Sequence, residues 1–282
     1  RADKRSCTDF LYSPRLALVH TPNEKDTLKF MFTRSHRLND YEVLKLEHDA
    51  GASDSESEVV DTYELRYERM HSEETSLALT SFYQKADIVG FGGDNFRSKN
   101  LAVMTLYGGE LELSYRGQNF EISLSHQYTK LGDFDLEPDV PNTFVTAEPY
   151  GFGDDLADWS NHNTKINASY TLNKAWRIHG NLNYLWGFPG MKDYVDREYE
   201  RRDTNPSREP YVDLGYDKQS KRSVFLNLGI EYKPNDRCTI NLVGYHLLGF
   251  FDKDLNKQNY LGGRGGYRNL APSIGLNINW TF

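Results

Sequence analysis

Long hydrophobic runs are missing from this chain of 282 residues. Only 38% of it is hydrophobic, and no stretch approaches the ~20 consecutive apolar residues that a membrane helix requires. That excludes a helical membrane protein. It does not exclude a membrane barrel, whose strands alternate apolar with polar residues and so look hydrophilic on average. Cysteine is as scarce: Cys7 and Cys238 are the two present, too few for a disulfide framework. A basic excess is lacking too. Against 33 basic residues stand 41 acidic ones, a formal net charge of -8 without a basic block, so no nucleic-acid partner is expected. Nor does a charged-then-apolar leader follow Arg1, and the sequence reads as a mature protein or a fragment.

Aromatic residues are plentiful, 13% of the chain with 19 Tyr and 15 Phe, as expected where rings sit in interfacial girdles; ordinary β-propensity is the blander cause. The last ten residues, SIGLNINWTF, set the theme. Successive side chains of a strand point to opposite faces. Ile274, Leu276, Ile278, Trp280 and Phe282 therefore fall on one face, and Ser273, Gly275, Asn277, Asn279 and Thr281 on the other. Such a strand fits either the core of a soluble sandwich or the lipid side of a barrel with a polar lumen.

The same pattern recurs along the chain. Leu16 and Leu18 lead through the turn TPNEKD to Leu28, Phe30 and Phe32, and residues 35–57 read as a long solvated loop. Tyr63, Leu65 and Tyr67 lead through HSEE to Leu77, Leu79 and Tyr83, followed by the glycine-rich loop VGFGGDNFRSKN. A fifth strand with Leu111, Leu113 and Tyr115 turns at GQN into a sixth with Phe120, Ile122, Leu124 and Tyr128, and a loop spans about 131–162. Ile166, Ala168, Tyr170 and Leu172 precede the turn NKA, and Ile178, Leu182, Tyr184 and Trp186 follow it. A charged loop runs from 188 to 221. Val224, Leu226, Leu228 and Ile230 then reach the turn PND, a tenth strand runs from Cys238 to Leu248, and GGRGG precedes the terminal strand.

Two regularities choose the environment. Short and long connections alternate through about eleven strands, as in bacterial barrels with tight periplasmic turns and long extracellular loops. The polar face carries Glu, Lys, Arg and Asn on strand after strand, which a sandwich interior could hold only by pairing every charge. The expected fold is therefore all-β, an antiparallel transmembrane β-barrel. The terminal strand should end on the periplasmic side. A complete bacterial barrel has an even strand count, so about eleven strands read as part of a larger one. Cys7 and Cys238 fall at opposite ends of this layout, beyond the ~7 Å between Cα atoms that a disulfide allows.

The segments YSPRLALVHTPNEKDTLKFMFTRSHRL, DTYELRYERMHSEETSLALTSFYQKADIVGF, GGELELSYRGQNFEISLSHQYTKL and YRNLAPSIGLNINWTF resemble TonB-dependent outer-membrane receptors. The resemblance covers nearly the whole chain. It implies the second half of a barrel of about twenty-two strands around an amino-terminal plug, taking up iron chelates, haem or cobalamin with energy from the TonB complex. Residues 1–282 would be the carboxy-terminal portion, with the plug, the earlier strands and the TonB-contacting segment not in this sequence. FTRSHRLND stands where haem receptors carry FRAP-like and NPNL-like boxes, which weighs against haem.

In that architecture ligand contacts come from the extracellular loops and the upper lumen. His36, Arg37 and Tyr41 in the first long loop, Tyr150, Phe152 and Trp159 in the third, and Arg264, Tyr267 and Arg268 before the last strand are the candidates. Aromatic rings and guanidinium groups suit an anionic, conjugated chelate through stacking and bidentate hydrogen bonds; the bland alternative is loop packing and pairing with neighbouring acids. Asp154, Asp155 and Asp158 could ligate calcium, but their spacing matches no EF-hand and a solvated acidic loop is the better reading. GFGGDN around Gly92 reads as a turn, since no helix follows it. Ser125 and His126 face opposite sides of a strand and cannot act as nucleophile and base. No catalytic residue, resident metal or cofactor is expected. The expected function is nutrient uptake at the bacterial outer membrane, among lipid and lipopolysaccharide; a passive porin or structural barrel is the alternative, an outer-membrane hydrolase a remoter one.

Overall fold

The computed structural model describes residues 2–4, 10–37, 45, 49, 51, 56–92, 97–138, 160–188, 222–252, 255, 257–260 and 266–281. In chain order the strands are β1 (Ala2–Lys4), β2 (Phe10–Tyr12), β3 (Arg15–His20), β4 (Asp26–Arg37), β5 (Glu58–Met70), β6 (Thr75–Gly92), β7 (Arg97–Arg116), β8 (Phe120–Leu136), β9 (His162–Thr171), β10 (Trp176–Trp186), β11 (Arg222–Asn235), β12 (Cys238–Tyr245), β13 (Lys257–Tyr260), β14 (Gly266–Asn269) and β15 (Ser273–Trp280). Eleven of them, β3 to β12 and then β15, form one antiparallel sheet in which each pairs with its neighbour in sequence. The pairs β1–β2 and β13–β14 form two small separate hairpins. Among the described residues β3 and β15 are the two edges of the sheet. No described helix is long and apolar enough to cross a membrane.

Connections at one end of the sheet are short: 21–25, 71–74, 117–119, 172–175 and 236–237. Polar side chains close four of these turns, as short Asn and Ser side chains do by mimicking a backbone acceptor. Asn23 Oδ1 accepts from the N–H groups of Lys25 and Asp26 at 2.9 and 3.0 Å. Asn173 Oδ1 does the same for Ala175 and Trp176 at 2.9 and 3.1 Å. Ser72 Oγ accepts from Thr75 N–H at 3.1 Å and Asn235 Oδ1 from Arg237 N–H at 3.0 Å. At the opposite end the connections are long, 38–57, 137–161, 187–221 and 246–272, except for 93–96.

Register fixes which face each side chain takes, because a one-residue slip would turn every side chain over. Leu124 pairs with Ile166, Ile166 with Leu182 and Leu182 with Leu226, while Ile230 pairs with Leu242 and Leu242 with Leu276. This aliphatic face is uncovered: Leu228 is 47% exposed, Leu276 64% and Ile278 58%. A soluble monomer does not leave so continuous an apolar surface in water. Aromatic residues border it. On β10, Trp176 and Trp186 mark the two rims; ten residues at ~3.3 Å each give about 33 Å along the strand, or about 25 Å of height at a ~40° tilt, the thickness of an outer-membrane apolar band. Trp176 stacks on Tyr232 at one rim (centroids 4.3 Å apart), and Phe32 meets Tyr63 at the other (4.9 Å).

Four expectations from sequence need correction. The segment 89–100 is not a loop: β6 runs on to Gly92 and β7 starts at Arg97, leaving a connection of 93–96. Here the opposite, inward face is apolar. Ile88, Leu101 and Ala102 are buried together, Leu106 packs on Leu131, and Met104 and Phe134 adjoin both groups. Two irregularities, after Ile88 and after Thr105, leave Leu101 and Gly132 unpaired in their ladders, the extra residues of β-bulges. His36 and Arg37 belong to β4 and not to a loop. The third long loop is shorter than expected, since β8 continues to Leu136 and β9 begins at His162. The tenth expected strand ends at Tyr245, where His246 takes a left-handed conformation (φ 53°) and a 3-10 turn, Leu247–Phe250, follows. Cys238 is free and buried; Cys7 lies outside the described residues.

Candidate functional site

The face opposite the aliphatic one carries networks of polar groups, and it is concave. One cavity of about 560 Å³ has walls from Ser76 on β6 to Val243 on β12, a span that a flat sheet could not enclose. A second cavity, about 550 Å³, is lined by Arg66, Glu68, Glu110, Glu112 and Ser125. The inward face therefore looks onto a polar, partly enclosed space.

Arg66 is the centre of the second cavity's wall. Its Nε donates to Glu68 Oε1 at 2.6 Å, its Nη1 to Glu112 Oε1 at 2.8 Å and to Thr80 Oγ1 at 3.0 Å, and its Nη2 to Glu112 Oε2 at 2.7 Å. Lys29 Nζ donates to the other Glu68 oxygen at 2.7 Å. Two cations and two carboxylates thus neutralise one another across β4, β5 and β7. The bridge passes over β6 because Ala78, in register with both Glu68 and Glu112, carries only a methyl group. Bidentate guanidinium–carboxylate pairing is the strongest of these contacts and fixes both side chains in direction.

A second inward feature is a row of short polar side chains lying along the hydrogen-bonding direction. Ser76 pairs with Ser114, Ser114 with Ser123, Ser123 with Asn167, Asn167 with Asn181 and Asn181 with Asn227. The two serine hydroxyls of β6 and β7 are 2.6 Å apart. Asn181 Nδ2 donates to Asn167 Oδ1 at 2.7 Å, and Asn167 Nδ2 donates to Ser123 Oγ at 3.3 Å. Asn227 Oδ1 accepts from the backbone N–H of His246 at 2.9 Å, tying the connection after β12 to β11. Beside this row, Arg177 Nη2 donates to Glu121 Oε2 at 3.1 Å and to Ser169 Oγ at 2.8 Å, again crossing a strand over a small residue.

Of the residues singled out from sequence, Arg37 sits at the end of β4, exposed and paired with Glu58 at 3.1 Å. His36 shares the outward parity of Phe30 and Phe32, and its Nε2 lies 3.0 Å from the Tyr12 carbonyl oxygen. Tyr267 and Arg268 lie on β14, in register with Asn259 and Gln258. Tyr41, Tyr150, Phe152, Trp159 and Arg264, together with Asp154, Asp155 and Asp158, lie outside the described residues. The Arg66 group and the asparagine row were not singled out. Hairpin symmetry could have found part of the row: Asn167 and Asn181 stand equally far from the turn residue Lys174, as Ser114 and Ser123 do from the turn at 118–119.

Chemically, this wall offers amides, hydroxyls, the mutually neutralised Lys29, Glu68, Arg66 and Glu112, and the carboxylate of Glu110. Ser125 lines the cavity, whereas the next residue, His126, bonds Thr164 on the outward face at 2.8 Å, so the two form no nucleophile–base pair. Among the described residues no group of three or more His, Cys, Asp or Glu could hold a metal ion.

Comparison with known proteins agrees with this geometry. Residues 3–279 match the family model "TonB dependent receptor-like, beta-barrel". No curated protein matches the sequence. Among solved structures, the FrpB iron transporter of Neisseria meningitidis is similar at 15% identity and a TM-score of 0.63, covering 97% of this chain and 40% of that one. The ferric enterobactin receptor PfeA of Pseudomonas aeruginosa is similar at 12% identity and a TM-score of 0.62, covering 98% and 41%. FpvA of P. aeruginosa, solved with heterologous pyoverdines, is similar at 11% identity and a TM-score of 0.59, covering 96% and 33%. The chain thus spans about two fifths of the length of these structures or less, and at these identities they speak for the fold alone. With a family match over nearly its whole length and an eleven-stranded sheet that is apolar outside and polar inside, the chain belongs to the TonB-dependent receptor-like β-barrel family.

Proposed function

We propose that this chain is the carboxy-terminal part of an outer-membrane receptor that takes up a scarce nutrient, an iron chelate or a similar small molecule, with energy supplied through TonB. Its eleven sheet strands would form half of a barrel of about twenty-two around an amino-terminal plug. The outward aliphatic face would meet lipid and lipopolysaccharide. The short turns would lie in the periplasm and the long connections outside the cell.

The observation that carries this reading is the ion-paired cluster and the neutral asparagine row of the inner wall. A passive pore selects ions with rings of charge left free to act on them. Here Lys29, Glu68, Arg66 and Glu112 satisfy one another, and the asparagine row is neutral. Such a surface suits a close-packed plug and a polar cargo sliding past hydrogen-bonding groups. Ligand contacts would come from the long-connection end: Arg37, Tyr267 and Arg268, with Tyr41, Tyr150, Phe152, Trp159 and Arg264. His36, on the outward parity, would reach a ligand only above the rim.

Growth of a deletion strain on candidate iron chelates, haem or cobalamin as limiting nutrient tests the reading. Rescue by the full-length gene for one of these, abolished when TonB is inactivated, is the expected result. Uptake that persists without TonB would favour a passive pore, and rescue with none of them would remove these substrates.

A further inference from the structure

On the outward face, at the long-connection rim, two histidines face each other across a strand pair. His162 Nδ1 and His126 Nε2 are 3.3 Å apart, on the diagonal between the registered pairs His126–Thr164 and Tyr128–His162. Neither nutrient uptake nor the inner wall uses them. Their arrangement is held from several sides. Thr164 Oγ1 lies 2.8 Å from His126 Nδ1. The His162 ring lies flat on the Trp186 indole, centroids 3.7 Å apart with planes 3° from parallel, and Tyr128 closes on it at 4.9 Å. Gly187, at φ +71°, leaves no Cβ in the space beside the His162 ring, and its carbonyl accepts from Asn161 N–H at 2.6 Å, anchoring the residue before His162.

We propose that His126 and His162 form a bidentate site for a borderline-soft divalent transition metal ion such as Cu²⁺, Ni²⁺ or Zn²⁺. With its proton on Nδ1 and donated to Thr164, His126 presents a lone pair at Nε2. His162 with its proton on Nε2 presents one at Nδ1. An ion ~2.05 Å from each nitrogen sees two atoms 3.3 Å apart at about 107°, close to the tetrahedral angle. Two imidazoles select Cu, Ni and Zn over the hard cations Ca²⁺ and Mg²⁺, which prefer oxygen. Water would complete the coordination, and Thr164 is the positioning residue that sets the His126 tautomer.

The test is titration of the full-length protein in lipid nanodiscs with Cu²⁺, followed by tryptophan fluorescence and by electron paramagnetic resonance. One equivalent should bind with superhyperfine structure from two imidazole nitrogens and quench Trp186. His126→Ala or His162→Ala should each weaken binding at least about tenfold and leave at most one nitrogen coupled, and Thr164→Val should weaken it by about 10–100-fold. Trp186→Phe should remove the quenching while keeping the two-nitrogen signal, and His179→Ala, on the inward face, should change nothing. Heat-modifiable migration confirms that each variant has folded. Equal Cu²⁺ affinity and the same spectrum in wild type and both folded histidine variants would overturn the site and leave the pair as part of the aromatic rim.

Discussion

The guanidinium of Arg66 on β5 clasps both carboxylate oxygens of Glu112 on β7, at 2.8 and 2.7 Å, with β6 lying between them. Both side chains are partly open, 22% and 37% exposed, so their pairing is worth less than that of a fully buried pair. Glu112→Gln should keep the shape but lose the charge, costing about 1 kcal/mol in urea unfolding of the bilayer-inserted protein. Ala78→Leu should cost more, because its side chain fills the space through which the bridge passes and overpacking costs about 1–3 kcal/mol.

Gly108 on β7 has no room for a side chain. An added Cβ would collide with the backbone carbonyl of Tyr128 and come within 2.7 Å of the Phe82 ring. Phe82 can turn aside; the strand cannot. Gly108→Ala should therefore lower the yield of folded barrel and destabilise it by about 1–3 kcal/mol, measured by heat-modifiable migration and urea unfolding. Gly51, whose Cβ would meet nothing within 4 Å, is the comparison site without a clash; its positive φ of 76° alone should cost alanine about 1–2 kcal/mol.

Neighbouring residues on β11 should respond very unequally to the same charge. Leu228→Arg puts a guanidinium against hydrocarbon and should cost about 2–4 kcal/mol if it lies near the bilayer midplane. Asn227→Arg, one residue earlier and on the inward face with Asn181, should cost well under half of that. Paired unfolding measurements in lipid vesicles read the difference directly.

How legible the fold is depends on which face of a strand is polar. On β8 to β11 most inward residues are polar, among them Ser123, Asn167, Asn181 and Glu231, so alternation alone places Leu124, Leu182, Leu226 and Ile230 on one face, as the register does. On the upper halves of β6 and β7 the polarity inverts. Lys85 and Asp87 follow Tyr83 on the outward parity, while Ala86, Ile88, Ala102 and Leu106 are buried on the inward one. With Gly90, Gly92 and Gly93 in it, the stretch 89–100 reads as a glycine-rich loop, whereas it belongs to the longest hairpin of the sheet. The end of β4 is hidden from sequence for a related reason. Ladder ion pairs, Arg34 with Asp61 and Arg37 with Glu58, extend the strand beyond its last apolar residue, and polar pairs carry no alternation signal.

The inner wall was less legible than the fold. Asn167 and Asn181 could be matched about their short turn, but Lys29 and Glu68 are brought together across the long connection 38–57, whose length hides the register. Arg66 and Glu112 are not even on adjacent strands. Pairings of that kind follow from the curvature of the whole sheet, which no local pattern encodes.

Single cysteines placed in turn at 226 to 231 of a cysteine-free full-length protein, spin-labelled in lipid bilayers, test the inside-out assignment most directly. Collision with oxygen dissolved in the bilayer, set against collision with a water-soluble nickel chelate, should alternate with a period of two. Labels at Leu226, Leu228 and Ile230 should be lipid-exposed, and those at Asn227, Gly229 and Glu231 should face water or packed protein. The opposite phase, with Leu228 shielded from lipid and Asn227 in contact with it, would contradict the assignment of faces and the receptor reading built on it.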